Sequence, residues 1–210
     1  MATALRILIT VGPTREPMDA VRYISNRSSG KMGAALVAAA VRAGHGVTLI
    51  LGPVMMEMPE GVRRIDVETA QEMHDAVLRE LPNHDVLIMA AAVADFKPRY
   101  IRNGKVERDG TLPIEFEPTV DIVAAAAKAK RADQRAVGFS LETNGNIERA
   151  KTKLHRKGLD LIVYNPASTM DSPNIESVLL YPDGRTEELP CRDKGEFADI
   201  LLKRVMALFT

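Results

Sequence analysis

The apolar positions of the chain fall into short blocks that alternate between two periods. Residues 5–11 form a mostly apolar run of strand length, closed by Gly12 and Pro13. Residues 46–51, 85–92, 136–140 and 159–164 repeat that pattern. Between them lie stretches whose apolar residues recur at helical spacing. The first is an alanine-rich run from about Gly30 to Ala43, with Gly44 as its C-terminal glycine. The second is 66–81, where Ala70, Met73, Ala76 and Val77 share a face and Thr69 and Glu72 spell a capping box. A third helix is expected to open at Thr119 as N-cap, with Asp121 in its first turn. The others are 146–157 and 197–209. Strands alternating with helices predict right-handed βαβ units and a Rossmann-like three-layer α/β fold around a mostly parallel central sheet. The near-continuous run DVLIMAAA belongs in the middle of that sheet, covered on both faces. Residues 177–188, with Pro182, Asp183 and Gly184 at the bend, read as a terminal hairpin.

One stretch breaks the alternation. Residues 96–117 carry turn signals at Asn103-Gly104 and Asp109-Gly110, and a set of cations at Lys97, Arg99, Arg102, Lys105 and Arg108. This predicts a flap or hairpin arm. It could close over a phosphate-bearing site, or be a solvated arm that pairs with a second subunit. With no repeat or linker, 1–210 reads as a single domain.

The candidate chemistry sits at the predicted strand ends. The loop after the first strand holds Arg15, Glu16, Arg22, Asn26, Arg27, Ser28 and Ser29, then Gly30, Lys31 and Gly33 at the helix start. Free N–H groups, the helix dipole and small residues there suit a phosphate or carboxylate. Ala91 and Ala92 would let a flat base or an extended chain approach the backbone, and Asp95 offers either a ligand carboxylate or a loop cap. Lys153 and Lys157, four apart, share a helix face that suits a polyphosphate or simply faces water. In an open α/β sheet, strand-end residues gather on one edge, here adding Glu142, Thr143, Asn144 and Asn165.

Composition narrows the partners. Lys plus Arg and Asp plus Glu are 28 each, which argues against a general nucleic-acid binder. No apolar run is long enough to span a membrane. A single cysteine, Cys191, fits a reducing cytosol, and the N-terminus lacks a signal-peptide pattern, so a cytoplasmic protein is expected. The four histidines show no zinc-ligand spacing, and no metal ligands are assigned.

Several of these motifs carry a resemblance. GPTREPMDAVRYISNRSSGKMG resembles the opening signature of the phosphopantothenate–cysteine ligase family, and AAAVADFKP resembles its AAVADY/F motif. Val120-Asp121-Ile122-Val123 is similar to its P-D-I-V, and Gly138-Phe139-Ser140-Leu141-Glu142-Thr143 to its G-F-x-x-E-T. Lys105 falls at its flap lysine, and Lys153 and Lys157 at its lysine pair. Two departures stand out. The K-x-K-K of the bacterial flap reads Lys105-Val106-Glu107-Arg108, and the N-P before the third helix reads Thr119-Val120.

The resemblance implies a ligase joining 4′-phosphopantothenate to L-cysteine in coenzyme A biosynthesis, through an acyl-nucleotide with loss of pyrophosphate. CTP or ATP with Mg²⁺ would be the co-substrate. Nucleotide contacts would come from Met89, Ala90, Ala91, Asp95, Lys105, Val120, Asp121, Ile122, Val123, Phe139, Lys153 and Lys157. Arg22, Asn26 and Ala92 would bind phosphopantothenate, with Asn26 and Lys105 as the catalytic pair. It further implies a homodimer, and no flavin, since the decarboxylase domain of the bifunctional form has no counterpart in these residues. Two other readings remain. One is a non-catalytic nucleotide-binding paralogue, favoured by the altered flap. The other is an NAD(P)-dependent oxidoreductase, disfavoured because GxGxxG is missing and the second strand runs into Leu51-Gly52-Pro53 rather than an acid.

Overall fold

The computed structural model describes residues 4–108, 110–142, 146–166 and 174–209, apart from the side chains of Glu142 and Cys191. Thr143 and Asn144 therefore lie outside the described residues. In chain order the elements are β1 (Arg6–Val11), β2 (Arg15–Pro17), β3 (Tyr23–Ser25), α1 (Lys31–Arg42), β4 (Gly46–Leu51), β5 (Arg63–Asp66), α2 (Ala70–Glu80) and β6 (Val86–Met89). There follow β7 (Phe96–Pro98), β8 (Phe116–Pro118), α3 (Ile122–Ala129), β9 (Arg135–Glu142), α4 (Ile147–Arg156), β10 (Leu161–Pro166), β11 (Asn174–Leu180), β12 (Thr186–Asp193) and α5 (Lys194–Met206).

The central sheet runs β12-β11-β10-β9-β6-β1-β4-β5. It is parallel from β10 to β5, and the terminal hairpin β11–β12 adds an antiparallel edge. The predicted α/β class holds, and its cause is visible in β1. Ile7, Ile9 and Val11 enter a core with α1 and α5, while Leu8 enters a core with α2 and α3. All four are fully buried, as expected of a parallel strand covered on both faces. A third cluster packs α4 through Ala150 and Leu154 onto β9 and β10.

Three local expectations are corrected. Residues 63–66 form an edge strand, so the second helix begins at Ala70 rather than near 66. Arg63, Arg64 and Asp66 are exposed and carry no apolar alternation. The capping box marks the true start: Thr69 Oγ1 accepts from Glu72 N at 3.1 Å, and Glu72 Oε2 accepts from Thr69 N at 3.3 Å. The loop after β1 contains its own antiparallel pair, β2–β3. Finally, the cap of α3 is Asp121, not Thr119. Asp121 Oδ1 accepts from Ala124 N at 3.1 Å, while the Thr119 hydroxyl donates to Ala94 O at 2.5 Å.

The predicted arm is present. β7 and β8 pair antiparallel in a two-stranded ribbon separate from the central sheet.

Candidate functional site

The sheet order reverses at β1: β4 and β5 lie on one side, and the chain then returns to place β6 on the other. Crevices at such points, beyond the carboxyl ends of the strands, bind ligands in open α/β sheets. Here the two strand ends stay together past the sheet. Ala90 N donates to Thr10 O at 3.2 Å, Ala92 N to Gly12 O at 2.9 Å, and Thr14 N to Ala92 O at 3.3 Å. Ala94 N donates to Thr14 Oγ1 at 3.0 Å. Residues 90–94 thus form a septum of four alanines and one valine, with a cleft on either side.

The first cleft, about 420 Å³, is lined by Met89, Ala91, Asp95, Val120, Asp121, Ile122, Val123, Phe139, Lys153 and Lys157, among others. These come from β6, the start of α3, β9 and the end of α4. Most of the residues singled out for the nucleotide therefore share one space. Their polar groups are partly engaged. Lys153 Nζ donates to Phe139 O at 2.8 Å, and Lys157 Nζ pairs with Asp121 Oδ1 at 3.1 Å. Burial would raise the Asp121 pKa, but the Ala124 amide and the Lys157 ammonium outweigh it and hold the carboxyl below its usual value. Arg156 lines the same cleft and continues with Arg149 into a neighbouring one. Both were missed in the sequence, where they look like ordinary exposed helix cations.

The second cleft, about 160 Å³, lies at the N-terminus of α1. Arg27, Ser28, Ser29, Gly30 and Lys31 line it, with Ala90, Ala92 and Phe139 from the septum side. Gly30 caps the helix with φ 76° and no side-chain hydrogen bond, which leaves the first amides of α1 open to a ligand. The close seating of α1 is permitted by Gly33, where a Cβ would stand 2.5 Å from Val11 Cγ2. Lys194, the first residue of α5, reaches this cleft too. Its separation in sequence hid it. Asn165 also lines the cleft, with its amide donating to Glu176 O at 3.1 Å.

Asn26, Ala92, Arg22 and Lys105 are placed differently. Asn26 Nδ2 donates to Ala92 O at 3.1 Å and Val93 O at 2.9 Å, so this side chain clasps the septum. Ala92 has both backbone groups satisfied internally and presents only its methyl to the cleft. Arg22 lies apart from the α1 terminus, bonded to Asp19 and to Val106 O. Lys105 is exposed on the arm and lines neither cleft. Among the described residues no cluster of three His, Cys, Asp or Glu could hold a metal, and no helix is long and apolar enough to cross a membrane.

Comparison with known proteins follows the same outline. Residues 2–209 match the family described as the DNA/pantothenate metabolism flavoprotein C-terminal domain. The chain is 42% identical over 204 residues to the coenzyme A biosynthesis bifunctional protein CoaBC of Vibrio cholerae, covering 94% of this chain and 51% of that protein. It spans about half the length of the curated relatives of that name. The crystal structure of the C-terminal domain of a coenzyme A biosynthesis bifunctional protein CoaBC shares 39% identity and superposes with a TM-score of 0.85, over 97% of this chain and 95% of that one. A Cab2 mutant solved with phosphopantothenate-cysteine has the same fold at 18% identity, with a TM-score of 0.84 over 97% and 85% of the two chains.

Proposed function

The chain belongs to the DNA/pantothenate metabolism flavoprotein C-terminal domain family, and from that premise we propose that it ligates 4′-phosphopantothenate to L-cysteine at the expense of a nucleoside triphosphate. The observation that carries this reading is the pair of clefts sharing one septum, with Phe139 lining both. Two anionic reactants must meet at a single pair of atoms. Two adjoining clefts, each lined by cations and both reaching Phe139, would hold them side by side and offset their repulsion.

In this reading the nucleotide occupies the cleft of Met89, Ala91, Asp95, Val120, Asp121, Ile122, Val123 and Phe139, with Ala90 behind the base. Lys153, Lys157 and Arg156 face its phosphates. Mg²⁺ would come with the triphosphate and offset its charge. Asp95 and Asp121 are the carboxylates that could touch it, and few protein ligands are what magnesium ordinarily takes. Phosphopantothenate would be held from the other side by the α1 terminus beside Ala92, while Asn26 and Arg22 are assigned to it by the family's opening motif. Its carboxylate attacks the α-phosphate, pyrophosphate leaves, and the resulting mixed anhydride gives the amine of cysteine a leaving group that a free carboxylate lacks. Asn26 fixes the septum against which that anhydride lies. Lys105 lines neither cleft, and its role toward the phosphates is assigned by its place in the family's flap motif.

We further propose a homodimer. Val21, Tyr23, Phe96, Tyr100, Ile101 and Phe116 are exposed on the β2–β3 and β7–β8 hairpins, an apolar surface that a second copy would cover. Sedimentation should give twice the chain mass.

The test is pyrophosphate release with Mg²⁺, phosphopantothenate and cysteine, adding CTP, ATP, GTP or UTP separately. Release that requires phosphopantothenate, with the cysteine amide as product, is expected, and it names the nucleotide. No release with any nucleotide from folded protein would overturn the ligase reading. Glu107 would then be the first residue to revert to lysine.

A further inference from the structure

The turn that carries Lys105 is fastened at both ends to the loop that carries Arg22. On one side, Arg102 N donates to Met18 O at 3.1 Å. On the other, Val106 N donates to Asp19 Oδ2 at 3.2 Å and Val106 O accepts from Arg22 Nη2 at 3.0 Å. Gly104, with φ 76°, makes the bend between them. Asp19 is the hub. Its side chain is 1% exposed, and its two oxygens accept from Val21 N, Arg22 N, Arg22 Nε, Arg22 Nη2 and Val106 N. That fills the acceptor positions of a carboxylate. The Arg22 guanidinium, the neighbouring amides and the Val106 amide all hold this carboxyl far below its usual range.

We propose that Asp19 is a positioning residue that couples the phosphopantothenate side of the site to the nucleotide side, by clamping the Lys105 turn onto Arg22. The inference rests on the ligase reading for its catalytic consequence, but the clamp itself is a statement about structure. Val106 is gripped at its N–H by Asp19 and at its C=O by Arg22, as a neighbouring strand would grip it. Lys105 is thereby held on a pinned turn rather than on a free flap. A ligand that draws the Arg22 guanidinium away from Val106 O would release one half of the grip. Occupancy of one side would then be felt at Lys105.

The test uses the full chain with Asp19→Asn, which keeps the shape and removes the charge. Native trypsin digestion followed by mass spectrometry should show cleavage after Arg22, Arg102, Lys105 and Arg108 rising about 10- to 100-fold, the weight of one charged hydrogen bond, with sites outside the clamp unchanged. Cleavage unchanged at those sites, or raised throughout the chain, would overturn the clamp. Hydrogen exchange on the unsubstituted protein gives a check that needs no variant. The Val106 amide should be protected relative to that of Gly104, and equal exchange would overturn the proposal. If pyrophosphate release has been established, Asp19→Asn should lower its kcat about 10-fold or more. It should lower it no further in a Lys105→Ala background. Multiplying effects would overturn the positioning role. A protein with no release at all would sink the ligase reading while the trypsin and exchange results still judged the clamp.

Discussion

A single atom of Asn26 decides how it is used. Its amide nitrogen faces the carbonyls of Ala92 and Val93, so a carboxylate there would face two oxygen atoms with nothing to donate. Asn26→Asp should therefore leave nucleotide-dependent pyrophosphate release intact and lower amide formation by an order of magnitude or more, the scale of two lost hydrogen bonds. Measuring the two half-reactions separately checks this, and normal ligation would remove Asn26 from the mechanism. The sequence marked Asn26 because it stands in a recognisable string. It did not reveal the clasp, because the partners lie 66 and 67 positions away. Asp19 went unread for the same reason: an aspartate in a turn has an ordinary local explanation, and Val106 is 87 residues distant. Thr119 was read as a cap because hydroxyls serve there. The septum took that hydroxyl instead, and Asp121 filled the vacancy.

The central strands were legible because their burial is two-sided, and the edge hairpin β11–β12 because of its turn residues; β5 offered neither signal. β6 is apolar throughout and β1 nearly so because helices cover both faces, whereas β5 at the sheet edge reads R-R-I-D and looks like loop. β5 is tied down by charge, with the Arg63 guanidinium bonded to both oxygens of the buried Glu80 on α2. The capping box shows how local chemistry can still place an end. Thr69→Ala should destabilise the protein by about 1 kcal/mol, read from urea unfolding with an unchanged slope. Gly33 does the same for α1. Its missing Cβ would meet Val11, whose own branched Cβ stands only 2.9 Å away and cannot turn aside. Gly33→Ala should cost about 1–3 kcal/mol and weaken anion binding at the α1 terminus by lifting that helix off β1. Unaltered stability and binding would show that the seating is looser than the contact implies.

For the molecule as a whole, alternation of short apolar runs with amphipathic helices was enough to reach the doubly covered parallel sheet. Side-chain bridges between elements then add a dependence on acidity. The carboxyls of Glu80, Asp85 and Glu187 are each held low, first by hydrogen bonds from Arg63, Arg6 and Arg204 respectively. Because the folded values lie below the unfolded ones, the unfolded chain binds more protons in acid, and stability falls as pH drops below about 4. Urea midpoints should be flat from about pH 6 to 8 and decline steeply below about 4; a midpoint that rose in acid would contradict these pairings. Phe197 of α5 is wholly buried in the core shared with α1, so Phe197→Ala should cost about 3–5 kcal/mol. That packing also has a consequence in time. The cleft at the start of α1 is translated before α5, yet its wall includes Lys194 and its supporting helix packs against α5. During synthesis on a ribosome, this pocket is finished only after α5 has been made. Until α5 emerges, the apolar flank of α1 and β1 is left to chaperones.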